Sequence, residues 1–344
     1  MLACRQGWRR SQDVSPVYKG KERKSPMTTQ ATAQSTTPIR GPATARKSRR
    51  SIQESRVDRI FNLINYTILA FFLVIVLYPL IYVVSASFSD GAAVIAGKVV
   101  FWPVDFSLAA YEKIFAYERI WTGYANSLFY AVVGTLLNVG MTLIAAYPLS
   151  RRDFYGRGLF LGLFVFTMFF NGGLIPSYLL VKDLDMLNTR SALLIPQALS
   201  VWNLLIAITF FRSSIPSELL EAAQLDGCND FNYFTRILLP LSTPLIAVLS
   251  LFYAIGHWNQ FFAALIYLSK EELYPLQIIL RDILIQSQVD MNMMDDMKTM
   301  AAKQAMRELM KYALIVVASV PVLMLYPFVQ KYFVRGIMLG AIKG

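Results

Sequence analysis

Long apolar stretches dominate the hydropathy pattern of the chain. Six of them are about 20 residues or longer, and they cover approximately 60–87, 125–149, 159–181, 191–211, 238–262 and 311–334. A helix that crosses the roughly 30 Å hydrocarbon core of a bilayer needs about 20 such residues. The stretches are continuously apolar rather than alternating, which excludes a transmembrane β-barrel. The pattern therefore predicts an all-α integral membrane protein with six transmembrane helices.

Helix-breaking residues interrupt several of these stretches. They are Pro79, Gly172, Gly173, Pro176, Pro196, Pro240, Pro244, Pro321 and Pro327. Each break frees backbone groups that neighbouring helices or a water-lined cavity must satisfy. An ordinary kink accounts for any one of them. For Gly172-Gly173, near the middle of the third stretch, we predict an irregular turn that lines a cavity.

Basic residues predict the orientation, because Lys and Arg concentrate in short cytoplasmic loops. Loop 150–158 and the C-terminal segment 331–344 together contain six Lys and Arg. Both termini are therefore predicted to be cytoplasmic, and loop 212–237 falls on the same side. The two longer segments, 88–124 and 263–309, are predicted to lie outside.

Composition agrees with a membrane protein and locates the charge. Charged residues make up 16% of the chain, against about 25% in soluble domains. The net charge is +11, of which residues 1–59 contribute +10 with 14 Lys and Arg against 4 Asp and Glu. Residues 1–57 lack apolar periodicity and are predicted to be a disordered basic cytoplasmic tail, followed by the six-span domain 58–344. The tail has only two aromatic residues, Trp8 and Tyr18, and no nucleic-acid-binding module, so we expect attraction to the lipid bilayer and no nucleic-acid partner.

Few residues could carry catalytic chemistry. The chain has one His and two Cys, which excludes a site with several His ligands and a disulfide scaffold. It contains no GxxxxGK[ST], GxSxG or HExxH motif. The single histidine, His257, falls near the end of the fifth stretch. It is either a functional intramembrane group or, as we favour, a neutral side chain that hydrogen-bonds between helices.

Loop 212–237 carries the most informative pattern. Pro216 suits the first position of a helix, Glu218 and Glu221 place acids in its opening turns, and Gly227 is a typical terminator. A second short helix is predicted from about residue 230 to Pro240.

The residue types of the first loop helix favour docking. The small residues Ala222 and Ala223 allow close approach to another surface, while Glu221 and Asp226 offer charged anchors. The alternative, an amphipathic helix lying on lipid, fits poorly because acids outnumber basic residues in this loop.

The chain contains Glu221-Ala222-Ala223, then Gly227 after three residues, and then Ile237-x-Leu239-Pro240 after nine more. This spacing resembles the EAA signature of the membrane subunits of ABC importers. The resemblance covers about 58–344 and extends to the maltose-type carbohydrate permeases. It implies the type I importer permease fold, and it implies that the loop is a coupling helix seated in a cleft of a separate ATPase subunit. The residues to which it gives this role are Glu221, Ala222, Ala223, Asp226 and Gly227.

Three further segments resemble the branch of that family that imports complex oligosaccharides, with alginate importers as the nearest likeness. They are Tyr78-Pro79-Leu80, the segment from Asn171 to Tyr178, and Tyr274-Pro275-Leu276-Gln277. The resemblance implies ATP-driven import of an oligosaccharide, with an acidic one such as alginate as a candidate.

The resemblance also implies the partners. These are two copies of an ABC ATPase that bind ATP and Mg²⁺, a second homologous permease that we expect to be a different polypeptide, and an extracytoplasmic solute-binding protein. The chain itself is expected to hold no cofactor, to have no catalytic residue, and to reside as a multi-pass protein in a bacterial cytoplasmic (inner) membrane.

A sugar path needs amide and aromatic side chains. The candidates are Asn171, Tyr178, Trp202, Asn203, Trp258 and Asn259, although helix packing and interfacial belts use the same residue types.

Two other functions are open to a six-span protein. An ion-coupled secondary sugar carrier would normally place acids within its spans, whereas the acids here fall in loops. A membrane-bound enzyme would need converging carboxylates, and the adjacent pairs Glu271-Glu272 and Asp295-Asp296 do not converge. Neither alternative explains the EAA pattern.

Overall fold

The computed structural model describes residues 55–289 and 297–341, and all regular structure in these ranges is helical. The all-α prediction is confirmed there, while the predicted disordered tail lies outside the described residues except for 55–57. The structure forms two units, one ending at Ile75 and one beginning at Val76.

The helices follow one another along the chain with few long connections. They are α1 (Arg56–Ser87), α2 (Gly91–Ile95), α3 (Ala109–Phe115), α4 (Arg119–Ser150), α5 (Arg157–Phe169), α6 (Leu174–Asp183), α7 (Ser191–Leu194), α8 (Val201–Ser214), α9 (Ser217–Leu225), α10 (Asp230–Tyr233), α11 (Leu239–Leu241), α12 (Thr243–Trp258), α13 (Phe262–Tyr267), α14 (Leu276–Val289) and α15 (Met297–Ala341). A π-helical segment, Phe234–Leu238, joins α10 to α11.

Several helices have the length and apolarity of membrane spans. Within the described residues, α1 and α4 meet both criteria, and the count rises to four when the bent pairs α5–α6 and α10–α12 are each taken as one span. The apolar side chains of α1 between 56 and 75 are exposed, as lipid contact requires.

The third apolar stretch is broken where the two glycines stand. Helices α5 and α6 meet at an angle of 113°. Gly173 has φ +82° and ψ −178°, which is a conformation that side-chain-bearing residues avoid. The backbone N–H of Gly173 donates to Asn171 Oδ1 at 3.0 Å. The predicted irregular turn is confirmed, while its lining of a cavity stays a prediction.

The fourth stretch is also discontinuous, in this case around Pro196. Asn138 on α4 donates to the carbonyl of Gln197 at 2.9 Å. The N–H of Ser200 donates to the hydroxyl of Tyr253 on α12 at 3.2 Å. Two neighbouring helices thus satisfy the backbone groups that this break frees.

The fifth and sixth stretches differ from expectation. The helix predicted to end at Pro240 continues to Leu241, and the bend of 79° comes at Ser242. Pro321 and Pro327, predicted to interrupt the sixth stretch, lie inside the continuous helix α15. The carbonyl four residues before Pro321 lacks its usual helical donor, and the hydroxyl of Tyr124 donates to this Val317 oxygen at 2.7 Å.

Helix α4 is the centre of the packing. It contacts α8, α12 and α14, and α12 in turn contacts α15. Near its N-terminal end, polar side chains of α4 hold the segment that leads into α14. Asn126 donates to the carbonyl of Glu272 at 2.7 Å, and Ser127 Oγ accepts from the N–H of Leu276 at 2.8 Å. The opposite end of α4 meets the loop that carries the candidate site.

Candidate functional site

Helix α9 has clear start and stop signals. Pro216 is extended (φ −61°, ψ 139°) and precedes Ser217, so it caps the helix rather than occupying its first position as predicted. Gly227 has φ +76°. Its N–H donates to the carbonyl of Gln224 at 3.0 Å, and the N–H of Cys228 donates to that of Ala223 at 2.9 Å. These two bonds form a Schellman termination, so the predicted role of Gly227 as terminator is confirmed.

The two alanines of the motif lie on different faces of α9. Ala223 is 6% exposed and packs in a core cluster with Tyr233 and Leu238, whereas Ala222 is exposed. Ala223 therefore packs the helix onto its own protein, and Ala222 faces outward. The sequence pattern had given both residues the same outward role.

An apolar and acidic surface surrounds Ala222. Glu218, Glu221 and Asp226 are exposed. Leu219 and Leu225 are 40% and 90% exposed. We call this set, with Ala222, the outer face of α9. A surface with exposed leucines and carboxylates around a small residue suits close contact with a partner that supplies an apolar cleft and basic side chains.

Arg151 holds the second loop helix against the end of α4. It forms ion pairs with Asp230, the first residue of α10, and with Asp153. It also donates to the hydroxyl of Tyr147 at 3.1 Å, and that hydroxyl donates to Asp230 at 3.2 Å. Hydrogen bonds, led by the one to Asp153, raise the pKa of Arg151, and Arg151 holds the pKa of Asp153 below its usual range.

A cavity of about 1010 Å³ separates α9 from the loop between α4 and α5. Glu218 and Glu221, which are exposed members of the outer face, also line the cavity on the α9 side, so these two carboxylates border both surfaces. Arg152, Arg157 and Arg212 line it on the other side. In the sequence, the arginines of loop 150–158 indicated only the side of the membrane on which the loop lies. Their density, three in nine residues, was the available signal that they also form a site.

The six path candidates lie in different surroundings. Asn171, Trp202 and Asn259 are exposed, and Tyr178 is half-buried with its ring stacked on Tyr267 at 6.4 Å. Asn203 and Trp258 are each 6% exposed.

Two of these candidates have structural contacts of their own. The indole N–H of Trp258 donates to the carbonyl of Ala318 on α15 at 3.0 Å. Trp202 lines an apolar groove on α8. No contact among the described side chains gathers the six candidates at one point.

His257 is buried in the interface between α12 and α4. Its Nδ1 lies 3.5 Å from Gln260 Oε1, and its Nε2 is one of the buried polar atoms without a partner. A β-carbon on Gly134 would lie 2.3 Å from this Nε2, so the glycine provides the space for the imidazole. Within 55–289 and 297–341, no group of three or more His, Cys, Asp and Glu side chains could hold a metal ion.

Comparison with known proteins places the chain among transport proteins. It matches no protein-family profile. It is 43% identical over 288 residues to the polygalacturonan/rhamnogalacturonan transport system permease protein YtcP of Bacillus subtilis, covering 83% of this chain and 99% of that protein. It is 28% identical to the arabinooligosaccharides transport system permease protein AraQ of Halalkalibacterium halodurans, over 80% of this chain and 94% of that protein.

A solved structure shows the same fold. A chain from the crystal structure of a bacterial ABC transporter involved in the import of the acidic polysaccharide alginate superposes with a TM-score of 0.72. The two chains are 36% identical, and the match covers 81% of this chain and 99% of that one.

Proposed function

The chain belongs to the permease subunits of carbohydrate ABC importers, and from this premise we propose that α9 couples an ATPase to the movement of an acidic oligosaccharide. As a transporter subunit the chain is not an enzyme. Its task is to provide part of a membrane path and to respond to a partner that hydrolyses ATP.

The division of faces on α9 is the observation that supports coupling. Ala223 packs in a core cluster that also contains Leu143 and Ala146 of α4, and Arg151 forms an ion pair between the end of α4 and Asp230. A force applied to the outer face of α9 therefore reaches α4, the helix at the centre of the packing, through side chains already in contact. In this proposal Glu221, Ala222 and Asp226 contact the ATPase, while Ala223 and Gly227 fix the shape of the helix.

The proposed topology has six crossings in domain 58–344 and both termini in the cytoplasm. The six crossings are supplied by α1, α4, the bent pairs α5–α6 and α10–α12, the broken pair α7–α8 and the apolar part of α15. The concentration of arginine in loop 150–158 supports a cytoplasmic position for that loop, and the ion pair between Arg151 and Asp230 supports the same position for loop 212–237. The protein is then a multi-pass component of a bacterial cytoplasmic membrane.

The proposed assembly contains two copies of the ATPase, which bind ATP and Mg²⁺, a second and different permease, and an extracytoplasmic solute-binding protein. ATP binding brings the ATPases together, and the spans alternate between inward- and outward-facing arrangements. The sugar passes between the two permeases.

Relatives support an acidic substrate. One relative is named for polygalacturonan and rhamnogalacturonan, and the solved structure belongs to an importer of the acidic polysaccharide alginate. Among the path candidates, Asn171, Tyr178 and Asn259 have side chains that a sugar can reach. Asn203 and Trp258 support the path through packing.

The test is co-purification of the full-length chain from its native membrane after gentle solubilisation. We expect a Walker-motif ATPase and a second permease in the eluate, with ATPase activity stimulated by the solute-binding protein loaded with a uronic-acid oligosaccharide. A lone polypeptide without ATPase activity across several mild detergents would contradict the assembly. Stimulation by neutral oligosaccharides alone would contradict the acidic substrate while leaving the coupling role intact.

A charge reversal tests the coupling face directly. Glu221→Lys should leave the amount of inserted protein unchanged and abolish ATPase recovery and transport. Glu118→Lys reverses an exposed acid in the predicted outer segment and should behave as wild type. Wild-type transport by Glu221→Lys would refute the role of the outer face.

A further inference from the structure

Three arginines line the cavity beside α9 on the side opposite that helix. Arg152 and Arg157 come from the loop between α4 and α5 and from the first turn of α5, and Arg212 comes from the last turn of α8. Arg157 donates to the carbonyl of Arg151 at 3.2 Å, and Arg212 donates to that of Leu149 at 2.7 Å. These bonds orient two guanidinium groups toward one space.

Arginines outnumber acids around the cavity by four to three. Asp153, Glu218 and Glu221 line it, and Asp153 forms its ion pair with Arg151. Within the described part of the chain, no ion pair involves Arg152, Arg157 or Arg212. Arg157 and Arg212 also lie close enough to repel each other. Two guanidinium groups held close together, neither of them in an ion pair, favour binding of an anion.

An apolar groove lies next to this cavity, along α8. Its volume is about 460 Å³, and it is lined by Trp202, Leu205, Ile206, Thr209, Phe210 and Ser213. Ser213 lines both spaces. From residue 213 to residue 202 the groove follows the helix for about 16 Å, at roughly 1.5 Å per residue. A polar space with several arginines therefore borders an apolar one at Ser213.

We propose that this composite site binds an anionic phospholipid, with the phosphate at Arg157 and Arg212 and an acyl chain in the α8 groove. The proposal rests on the cytoplasmic position proposed above for loop 150–158. Basic pockets between helices at the cytoplasmic surface are typical sites for anionic headgroups. All 13 residues of α5 remain at least partly exposed, so the second acyl chain has an apolar helix to lie against.

The groove favours a lipid over a free phosphate ion. Inorganic phosphate uses the arginines and leaves the groove empty. A phospholipid uses both spaces at once, and it places its ester region where the two meet at Ser213. A bound lipid then links the α4–α5 loop to α8 next to the coupling helix, so its occupancy can affect the coupling of ATP hydrolysis to transport.

The experiment is native mass spectrometry of the full-length chain in its purified complex, with phosphatidylglycerol and phosphatidylcholine of identical acyl chains as probes. Wild type should retain phosphatidylglycerol in preference to phosphatidylcholine. Loss of each arginine is expected to weaken retention roughly fivefold, so Arg157→Gln with Arg212→Gln should weaken it about 30-fold. Thr209→Trp, which fills the groove, should reduce retention with the arginines intact.

Arg236→Gln is the matched control, since Arg236 is an exposed arginine in the same loop region that does not line the cavity. An equal loss of phosphatidylglycerol from this variant would overturn the proposal. So would equal retention of the two lipids by wild type, a comparison that needs no variant to fold. Displacement of the lipid by inorganic phosphate would also overturn the lipid proposal and would assign the arginines to a phosphate site.

Cross-linking of Thr209→Cys to the second permease would assign the groove to a subunit interface and also overturn the lipid proposal. Each of these outcomes leaves recovery of the ATPase unaffected. Failure of the lipid site is thus distinguishable from failure of the proposed function.

Discussion

The two adjacent alanines of α9 provide a matched pair of substitutions. Ala222→Leu and Ala223→Leu add the same three carbon atoms at adjacent positions of α9. Ala222 is exposed, whereas Ala223 is 6% exposed and lies in the core cluster with Tyr233 and Leu238. The same chemical change therefore meets open space at one position and a packed interior at the next.

The expected magnitudes follow from these surroundings. Inserting methylene groups into a packed core costs about 1–3 kcal/mol, so Ala223→Leu should lower the unfolding temperature by a few degrees. An exposed substitution usually changes stability by less than about 0.5 kcal/mol, so Ala222→Leu should unfold as wild type does. In the assembled transporter Ala222→Leu should have the larger effect, because the side chain at position 222 enters the proposed contact with the ATPase.

Two measurements on the same preparations separate these effects. Thermal unfolding of the solubilised permease reports the packing of α9, and ATPase recovered per permease reports the docking. Ala222→Leu should show normal unfolding with low ATPase recovery, and Ala223→Leu should show early unfolding. Normal unfolding of Ala223→Leu together with normal ATPase recovery by Ala222→Leu would refute the division of faces.

Three other predictions follow from contacts elsewhere in the structure. Gly134→Ala should destabilise the protein by about 1–3 kcal/mol, because its β-carbon would lie 2.3 Å from His257 Nε2. Adding His257→Ala should restore most of this loss, as measured by thermal unfolding. If the losses of the two variants simply add, the two residues are not in contact. Asn126→Ala should lower the free energy of unfolding by about 1–3 kcal/mol, since two carbonyls of the segment before α14 lose their donor. An unchanged unfolding temperature would contradict this prediction. Arg151 lowers the pKa of Asp153 in the folded protein relative to the unfolded chain. The stabilisation by the Asp153 carboxylate should therefore be present above the unfolded pKa of about 4. It should be lost as the pH falls through the lower pKa of the folded protein. Arg151→Gln should flatten this part of the curve of stability against pH, and an identical curve for the variant would refute the assignment.

Some local features were predictable because they depend on neighbouring residues alone. Gly227 ends α9 because a Schellman termination needs a positive φ, and Gly173 likewise adopts a positive φ where the third stretch breaks. The extent of the first, second and sixth apolar stretches predicted the long helices α1, α4 and α15. The spacing around Glu221 was enough to indicate the family.

Other features were not predictable because they depend on residues distant in the sequence. Pro321 does not break α15, and Tyr124, 193 residues away from Val317, supplies the donor for the freed carbonyl. The fourth stretch tolerates its break through Asn138 and Tyr253 on two other helices. A single sequence shows that a helix break leaves a backbone group without its helical hydrogen bond. It does not show which distant side chain will form a hydrogen bond with that group.

The sequence by itself thus determined the class of protein, the apolar helices α1, α4 and α15 and the bounds of α9, since hydropathy, turn residues and motif spacing act locally. The tertiary structure decided which face of α9 is free, because Ala223 is buried in a core cluster whereas Ala222 is exposed. It also brought Arg157 and Arg212 together from separate helices to line one cavity. Burial and the convergence of charges are properties of the folded surface, and they arise only when distant segments meet.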